Sequence, residues 1–209
     1  MASASNAHSV TRVVRIASAV GALCVAIAAF AAGTEPTAQW WRWLAVLVVS
    51  IAAGLPRIYV RRGGSRRMHT WGETAFILGL VLLPAGQLVL TTTAAAGAAA
   101  ALRRQPMRKV IFNTSVVAIV STVGVAIALP ARLYASSPAW DRLFSPAPFG
   151  LVVAAALMSP LISTALTARV VAAERAVRKT SDGNEAYRAA VSMSLRNVIA
   201  GILLVAALG

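Results

Sequence analysis

Few side chains in this sequence have the type and position that chemistry requires. Glu73 is the one acid that stands out beside a long apolar segment, and Asn113 lies at a similar expected depth near the start of another. Polar side chains are costly within a bilayer, so such residues are candidates for ligand binding or for a hydrogen bond between helices. We therefore predict Glu73 and Asn113 as an intramembrane polar pair.

A structural role is the alternative for both residues. Thr70-Trp71-Gly72-Glu73 has the S/T-x-x-E form of a capping box, in which Thr70 caps the helix start and Glu73 bonds back to its first N–H groups. Asn113 has the corresponding alternative of a bond to a nearby backbone carbonyl. Both interpretations remain open from the sequence.

The other reactive residues are isolated from one another. Cys24 is the single cysteine, and His8 and His69 have no neighbouring thiol or carboxylate cluster of the kind that binds metals. The sequence contains no G-x-S-x-G, G-x-x-x-x-G-K or H-E-x-x-H motif and no paired carboxylates in an apolar run. We expect no catalytic, cofactor-binding or metal-binding residue here, and hence no enzyme activity in this segment.

The composition is that of a membrane protein with several spans. Of 209 residues, 58% are apolar and 12% charged, with a mean hydropathy of +0.74. The net charge of +14 is high enough to suggest nucleic acid, but the basic residues lie between apolar runs, and no RNP motif or zinc-finger spacing accompanies them. Membrane topology explains this charge better, so we expect lipid and not nucleic acid as the partner.

A central segment sets the predicted topology. Thr74 to Leu102 is a run of 29 uncharged residues with Pro84-Ala85-Gly86 near its middle, and both flanks are basic. Lys and Arg near membrane segments stay cytoplasmic, so the run should form a Pro-interrupted hairpin that begins and ends on one side. The predicted cytoplasmic determinants are Arg61, Arg62, Arg66, Arg67, Arg103, Arg104, Arg108 and Lys109.

The predicted fold is an all-α, polytopic integral membrane helical bundle with six to seven segments. A tail over 1–15 precedes a membrane domain over 16–209, with segments at about 16–32, 40–56, 71–83, 86–102, 110–131, 149–168 and 195–209. At ~1.5 Å per residue the segment 71–83 is only ~20 Å long, so it is either a half-helix, a re-entrant element or a short span. Within the next segment Thr93, Gly97 and Ala101 form a row of small residues suited to close packing.

The two ends of the chain predict the orientation of the first helix and the extent of the protein. Arg12 and Arg15 precede the first apolar run, which places the N-terminus in the cytoplasm, and the run is longer than the core of a cleaved signal peptide. Only 12 residues follow Asn197, too few for a full span, so we expect a longer protein that continues beyond Gly209. A short final helix is the alternative. The plasma membrane is the expected location.

Several short motifs resemble a known class of membrane region. They are Pro56-Arg57, Trp71-Gly72-Glu73, Leu83-Pro84, Arg103-Arg104-Gln105-Pro106, Lys109 and Phe112-Asn113. Together they resemble the multi-helix input regions that precede GGDEF and EAL, or HD-type, output domains in actinobacterial signalling proteins. The resemblance covers roughly residues 40 to 130 and implies a sensory or anchoring role in cyclic-dinucleotide signalling. None of the three output motifs lies within the 209 residues.

We therefore expect a non-catalytic sensory and anchoring module of a signalling protein. Its expected partners are the bilayer, anionic lipid headgroups, and either a second copy or a downstream cytoplasmic output domain. A small transporter, or a transporter's substrate-binding subunit, is the alternative, because broken helices often line substrate sites. A third hypothesis is a structural protein that recruits anionic lipid through its basic loops.

Overall fold

A computed structural model describes residues 2–55, 58–62, 65–69, 72–134, 150–158, 161–163, 165–166, 199 and 203. This part of the chain is helical apart from one two-stranded hairpin. The helices are α1 (Ala2–Thr34), α2 (Trp40–Gly54), α3 (Gly72–Leu82), α4 (Ala85–Leu102), α5 (Met107–Tyr134) and α6 (150–158). The hairpin consists of β1 (Ile58–Arg62) and β2 (Ser65–His69), which are antiparallel.

Three of these helices are long and apolar enough to cross a membrane. They cover Thr11–Thr34, Ala85–Leu102 and Met107–Pro130. Their length and apolar composition support the membrane location that the overall composition predicts. The predicted segments from 16 to 131 agree with α1 to α5 to within a few residues at most ends. The segment 149–168 is helical at its described positions, whereas 195–209 lies outside the described residues except for Ile199 and Leu203.

The helices between the long ones are short. α2 has 15 residues and α3 has 11, which correspond to about 22 and 16 Å of helix against a hydrocarbon core of about 30 Å. The first arm of the predicted hairpin is therefore short, as its sequence indicates. Neither helix would cross the core unaided if it stood upright.

Two elements differ from the sequence prediction. Residues 2–15 form the first turns of α1 and continue into the apolar part of that helix, since no Gly or Pro interrupts the chain before Gly21. The basic connection after α2, expected to be a loop, contains the β1–β2 hairpin. Its first strand begins with the β-formers Ile58, Tyr59 and Val60, and the sequence between the strands is Gly-Gly, a pair frequent in two-residue hairpin connections.

Successive helices of the bundle run in opposite directions around α4. Half of the α4 span is buried, against 22% of the α1 span and 33% of the α5 span, so α4 is the central helix. It packs against α1, α2 and α5, and more sparingly against α3. The apolar core joins the helices through small and branched side chains, among them Ala28, Val46, Phe76, Leu88, Val125 and Ala155.

Glycines allow the closest helix contacts. A Cβ on Gly21 of α1 would lie 2.6 Å from the Cβ of Ser115 on α5. A Cβ on Gly86 of α4 would lie 2.5 Å from both the Ala28 oxygen and the Ala32 nitrogen of α1. Any larger residue at these points would force backbone apart, so the sequence fixes where α1 meets its two neighbours.

The bundle has two chemically different ends. Gly54 of α2 lies beside Ala99 of α4, so α2 and α4 end together, and the start of α1 and α5 lies at this same end. We call it the basic end, since Arg12, Arg15, Arg103, Arg104, Arg108 and Lys109 belong to it together with the hairpin. The basic segments that flank the central apolar run thus lie at one end of the bundle, and their cytoplasmic placement stays a prediction.

Candidate functional site

The opposite end carries an acid that caps α4 from a distance. The first N–H groups of a helix have no partner within it, and Pro84 at the N-cap position has no side chain able to accept them. Instead, the carboxylate of Glu35, just after α1, accepts from the Gly86 N–H at 2.9 and 3.1 Å. Negative charge at this position also interacts favourably with the helix dipole.

Gln87 binds the same connection through both atoms of its amide. Its Nε2 donates to the Pro36 carbonyl at 3.2 Å, and its Oε1 accepts from the Ala38 N–H at 3.2 Å. We call Glu35, Pro36, Ala38, Gly86 and Gln87 the clasp. Because Gly86 is also where α1 approaches closest, the clasp ties the α1–α2 connection and the start of α4 into one rigid unit.

Exposed tryptophans follow the clasp in the first turn of α2. Trp40 and Trp43 begin α2, and the indole N–H of Trp41 donates to the Gln39 amide oxygen at 2.7 Å. The guanidinium carbon of Arg42 lies 5.3 Å from the Trp41 ring centroid, within cation–π range. Amphipathic indoles with one polar end suit the layer between lipid and water, so this end has the character of a membrane interface.

Hydroxyl groups follow α4 into the bundle. Thr91 donates to the Gln87 carbonyl at 2.7 Å, and the hydroxyls of Thr92 and Ser121 lie 3.0 Å apart across the α4–α5 contact. The expected small-residue row is realised in part. Thr93 is buried, and a Cβ on Gly97 would lie 3.7 Å from the Thr114 hydroxyl oxygen of α5, but Ala101 is exposed.

The basic end of α4 is closed by its own backbone. The Gln105 N–H donates to the Ala100 carbonyl at 3.2 Å and the Arg104 N–H to the Ala101 carbonyl at 2.8 Å, which is a Schellman motif. Arg104 occupies its left-handed position with φ of 51°, where Gly is usual. Arg103 adds a side-chain bond from Nε to the Ala99 carbonyl at 3.0 Å. We call Arg103 to Pro106 the basic turn.

Of the predicted polar pair, only Asn113 has a described side chain. Its Nδ2 donates to the Gln105 Oε1 at 3.0 Å, in an exposed contact between α5 and the residues that precede it, so Asn113 braces the basic turn. Glu73 lies in α3, but its side chain is outside the described part, as is Thr70 altogether. The pairing of Glu73 with Asn113 and the capping role of Thr70 therefore stay predictions.

Metal chemistry has no candidate among the described side chains. In that part of the chain no three His, Cys, Asp or Glu side chains come together, and Cys24 is a half-buried free thiol of α1. The sequence analysis missed the clasp, although two signals for it exist. Glu35 directly follows an apolar helix, and Gln87 is the one amide side chain within the uncharged run.

No protein-family model, curated protein or solved structure matches this chain. The interpretation of the clasp and the basic turn therefore depends on their own chemistry.

Proposed function

We propose that this chain is a membrane-embedded sensory and anchoring module of a signalling protein, without chemistry of its own. The observation that supports this proposal most is the central position of α4, which begins in the clasp and ends in the basic turn. A signal that loosens or tightens the clasp, whether ligand, lipid or membrane state, changes how α4 is held. Because α4 packs against four neighbours, that change reaches the helix ends at the basic turn.

In the proposed orientation the N-terminus and the basic end face the cytoplasm. The excess of Lys and Arg at that end supports it, because such residues are retained on the cytoplasmic side. An output domain downstream, or a separate output partner, then receives the signal where α4 and α5 meet. The number of spans proposed remains six to seven, with α2 and α3 as short elements between the long ones.

Cysteine labelling tests the orientation. Replacing Cys24 by serine leaves a chain without cysteine, into which Thr37→Cys at the clasp end or Ser65→Cys at the hairpin is introduced. An impermeant maleimide should label Thr37→Cys in intact cells and Ser65→Cys only after permeabilisation. The reverse pattern would overturn the orientation, and labelling of both in intact cells would show that the clasp and the hairpin do not lie on opposite sides of the membrane.

Transmission through α4 needs a separate measurement. Spin labels at the exposed residues Leu55 and Leu102, at the ends of α2 and α4, report the spacing of the basic end in lipid nanodiscs. We expect Glu35→Ala to shift or broaden this distance distribution, whereas Thr37→Ala in the same connection should leave it unchanged. Identical distributions for all three proteins would refute a signal path from clasp to basic turn.

Transport is the second candidate, and one specific feature favours it. α3 is short and stops at Leu83-Pro84, and α4 then carries buried hydroxyls along the bundle interior. Broken helices with polar linings are common at transporter substrate sites. Solute uptake by the purified chain in proteoliposomes, abolished by Thr92→Val, would replace the sensory proposal with this one.

A further inference from the structure

Two hydroxyl groups of α4 and α5 are buried without a hydrogen-bond partner. Thr93 of α4 is only 8% exposed, and its hydroxyl makes no bond to any residue that the structure describes. The hydroxyl oxygen of Thr114 on α5 is likewise buried and unpaired. Such a hydroxyl is costly in an apolar bundle, because it has lost its bonds to water and gained none in return.

The neighbouring threonines show the bond that a helix normally offers. Thr91, Thr92 and Thr122 each donate to the carbonyl four residues earlier, at 2.7, 2.9 and 2.8 Å. This local bond satisfies a threonine hydroxyl within its own helix. Thr93 and Thr114 make no such bond, so both hydroxyls remain available to a group outside their own helix.

Gly97 connects the positions of these two hydroxyls. Thr93 and Gly97 are four residues apart, so they lie on the same face of α4, one turn from each other. A Cβ on Gly97 would lie 3.7 Å from the Thr114 hydroxyl oxygen, with no other described contact within 4 Å outside the backbone of α4. The missing side chain therefore leaves space beside Thr114 and one turn from Thr93.

This space lies inward from the exposed polar groups of the basic end. Thr114 directly follows Asn113, whose exposed amide binds Gln105 in the basic turn. Thr93 is nine residues from the last residue of α4, or about 14 Å along the helix. Polar groups thus continue along α4 and α5 from the aqueous end into the apolar span, which gives small polar molecules a route of entry.

The chemistry of the two hydroxyls selects a neutral ligand. A hydroxyl both donates and accepts hydrogen bonds and carries no charge, so two hydroxyls suit a ligand with the same property. Two hydrogen bonds of about 2.8 Å together span about 5.6 Å, which is close to one turn of helix at about 5.4 Å. Water has this reach, and buried water typically bonds to two to four polar groups.

We propose that Thr93 and Thr114 hold a water molecule between α4 and α5, in the space that Gly97 leaves. The water satisfies both hydroxyls and forms a second polar contact between these helices, in addition to the direct bond of Thr92 with Ser121. The proposal depends on the packing of α4 against α5 and not on signalling. It can therefore fail while the sensory function stands.

Solid-state NMR of the full chain in lipid bilayers tests this proposal. Threonines carry ¹³C, and magnetisation is transferred to them either from water or from lipid acyl chains. The loss of a signal in Thr93→Val or Thr114→Val identifies each residue, and the remaining signals confirm that the variant keeps its fold. Thr122, whose hydroxyl bonds to its own helix, is the internal control.

We expect Thr93 and Thr114 to receive magnetisation from water severalfold faster than Thr122 does at short transfer times. Equal rates at the three threonines would overturn the proposal. Transfer to Thr93 and Thr114 from the acyl chains alone would overturn it as well, because lipid and not water would then occupy the space.

Gly97→Ala tests the position of the site. The added methyl would only contact the Thr114 oxygen at 3.7 Å, without a clash, but it would occupy the space assigned to water. We expect water transfer at Thr93 and Thr114 to fall to the rate at Thr122. The thermal midpoint should fall below that of Gly33→Ala, where a Cβ meets nothing within 4 Å, although Ala is favoured in both helices. Unchanged water transfer in Gly97→Ala would overturn the assigned position.

A double-mutant cycle tests whether the two hydroxyls share one water. Thr93→Val and Thr114→Val should each lower the thermal midpoint, and the double variant should lower it by less than the sum, because either substitution alone removes the shared contact. The control combines Thr93→Val with Ser50→Ala, which removes an unpaired hydroxyl of α2, and should be additive. Additive losses for Thr93→Val and Thr114→Val would overturn the shared water.

Discussion

At its start, α4 is capped by a carboxylate 51 residues away in sequence, whereas at its end the last carbonyls are capped by the N–H groups of the residues that directly follow, Arg104 and Gln105. The clasp therefore exists only when α1, α2 and α4 are already packed. The backbone hydrogen bonds that close the basic turn, and the side-chain bond of Arg103, join only residues 99–105. Perturbing the clasp should thus affect the whole bundle, whereas perturbing the basic turn should have local effects.

The largest effect should come from Gly86→Ala. The added methyl would lie 2.5 Å from two backbone atoms of α1, so the helices must separate and the clasp must open. Forced overpacking of this kind destabilises by about 3 kcal/mol. Thermal unfolding in detergent measures this loss of stability, with the reaction of the Cys24 thiol with a fluorogenic maleimide as the signal for unfolding.

Gly33→Ala is the matched control for that substitution. Gly33 is exposed near the end of α1, and a Cβ there would have no neighbour within 4 Å. We expect it to raise the midpoint slightly, because Ala is favoured over Gly in helices by about 1 kcal/mol. Equal destabilisation by both substitutions would contradict the close approach at Gly86.

A smaller loss is expected from Glu35→Ala. It removes the cap from the Gly86 N–H and the charge from the start of α4, which together should cost about 1 to 2 kcal/mol. Chemical denaturation in mixed micelles measures it, with Thr37→Ala, an exposed neighbour, as the reference. If Glu35→Ala matched Thr37→Ala, the distant cap would contribute nothing to stability.

The basic turn should respond with the opposite sign. Arg104 has a positive φ, which Gly adopts at no steric cost, so Arg104→Gly should stabilise the chain by up to about 1 kcal/mol. Arg104→Ala retains the Cβ and should show no such gain. The thermal midpoints of the two variants measure the difference. A lower midpoint for Arg104→Gly would mean that the arginine side chain stabilises the fold by more than its left-handed backbone conformation destabilises it.

The smallest effect should lie between the two ends. Thr92→Val and Ser121→Ala each remove one hydroxyl of the pair that joins α4 to α5. A double-mutant cycle should give a coupling energy of about 0.6 kcal/mol, the average for hydrogen bonds between helices in membranes. A coupling near zero would show that this hydroxyl contact adds nothing to the packing of α4 against α5.

The sequence predicts some parts of this structure well because their signals are local. Uncharged runs bounded by arginines locate α4 and α5, and Pro84 locates the break before α4. The hairpin also has a local signal in Ile58-Tyr59-Val60 and the Gly-Gly pair. Its arginines, however, were interpreted only as indicators of membrane topology, so the strand pairing was not predicted. The charge pattern of a segment predicts its side of the membrane, whereas its β-forming and turn residues predict its backbone conformation, and the two predictions are independent.

The clasp lies beyond what a single sequence predicts. Glu35 has no motif around it, and its partner is a backbone N–H that any residue except proline would offer. Nothing local connects it to Gly86. The left-handed conformation of Arg104 is also not predictable from the sequence, because Gly or Asn usually marks that geometry and neither stands at this position.

The distance in sequence between Glu35 and Gly86 also bears on how the protein is made. At about 5 to 20 residues per second, Gly86 emerges from the ribosome about 3 to 10 s after Glu35. During that interval the first helix must insert before its partner amide has been synthesised. The hydrogen bonds between Glu35 and Gly86 can therefore form only after the start of α4 has been translated, so the α1–α2 connection stays without this anchor until then.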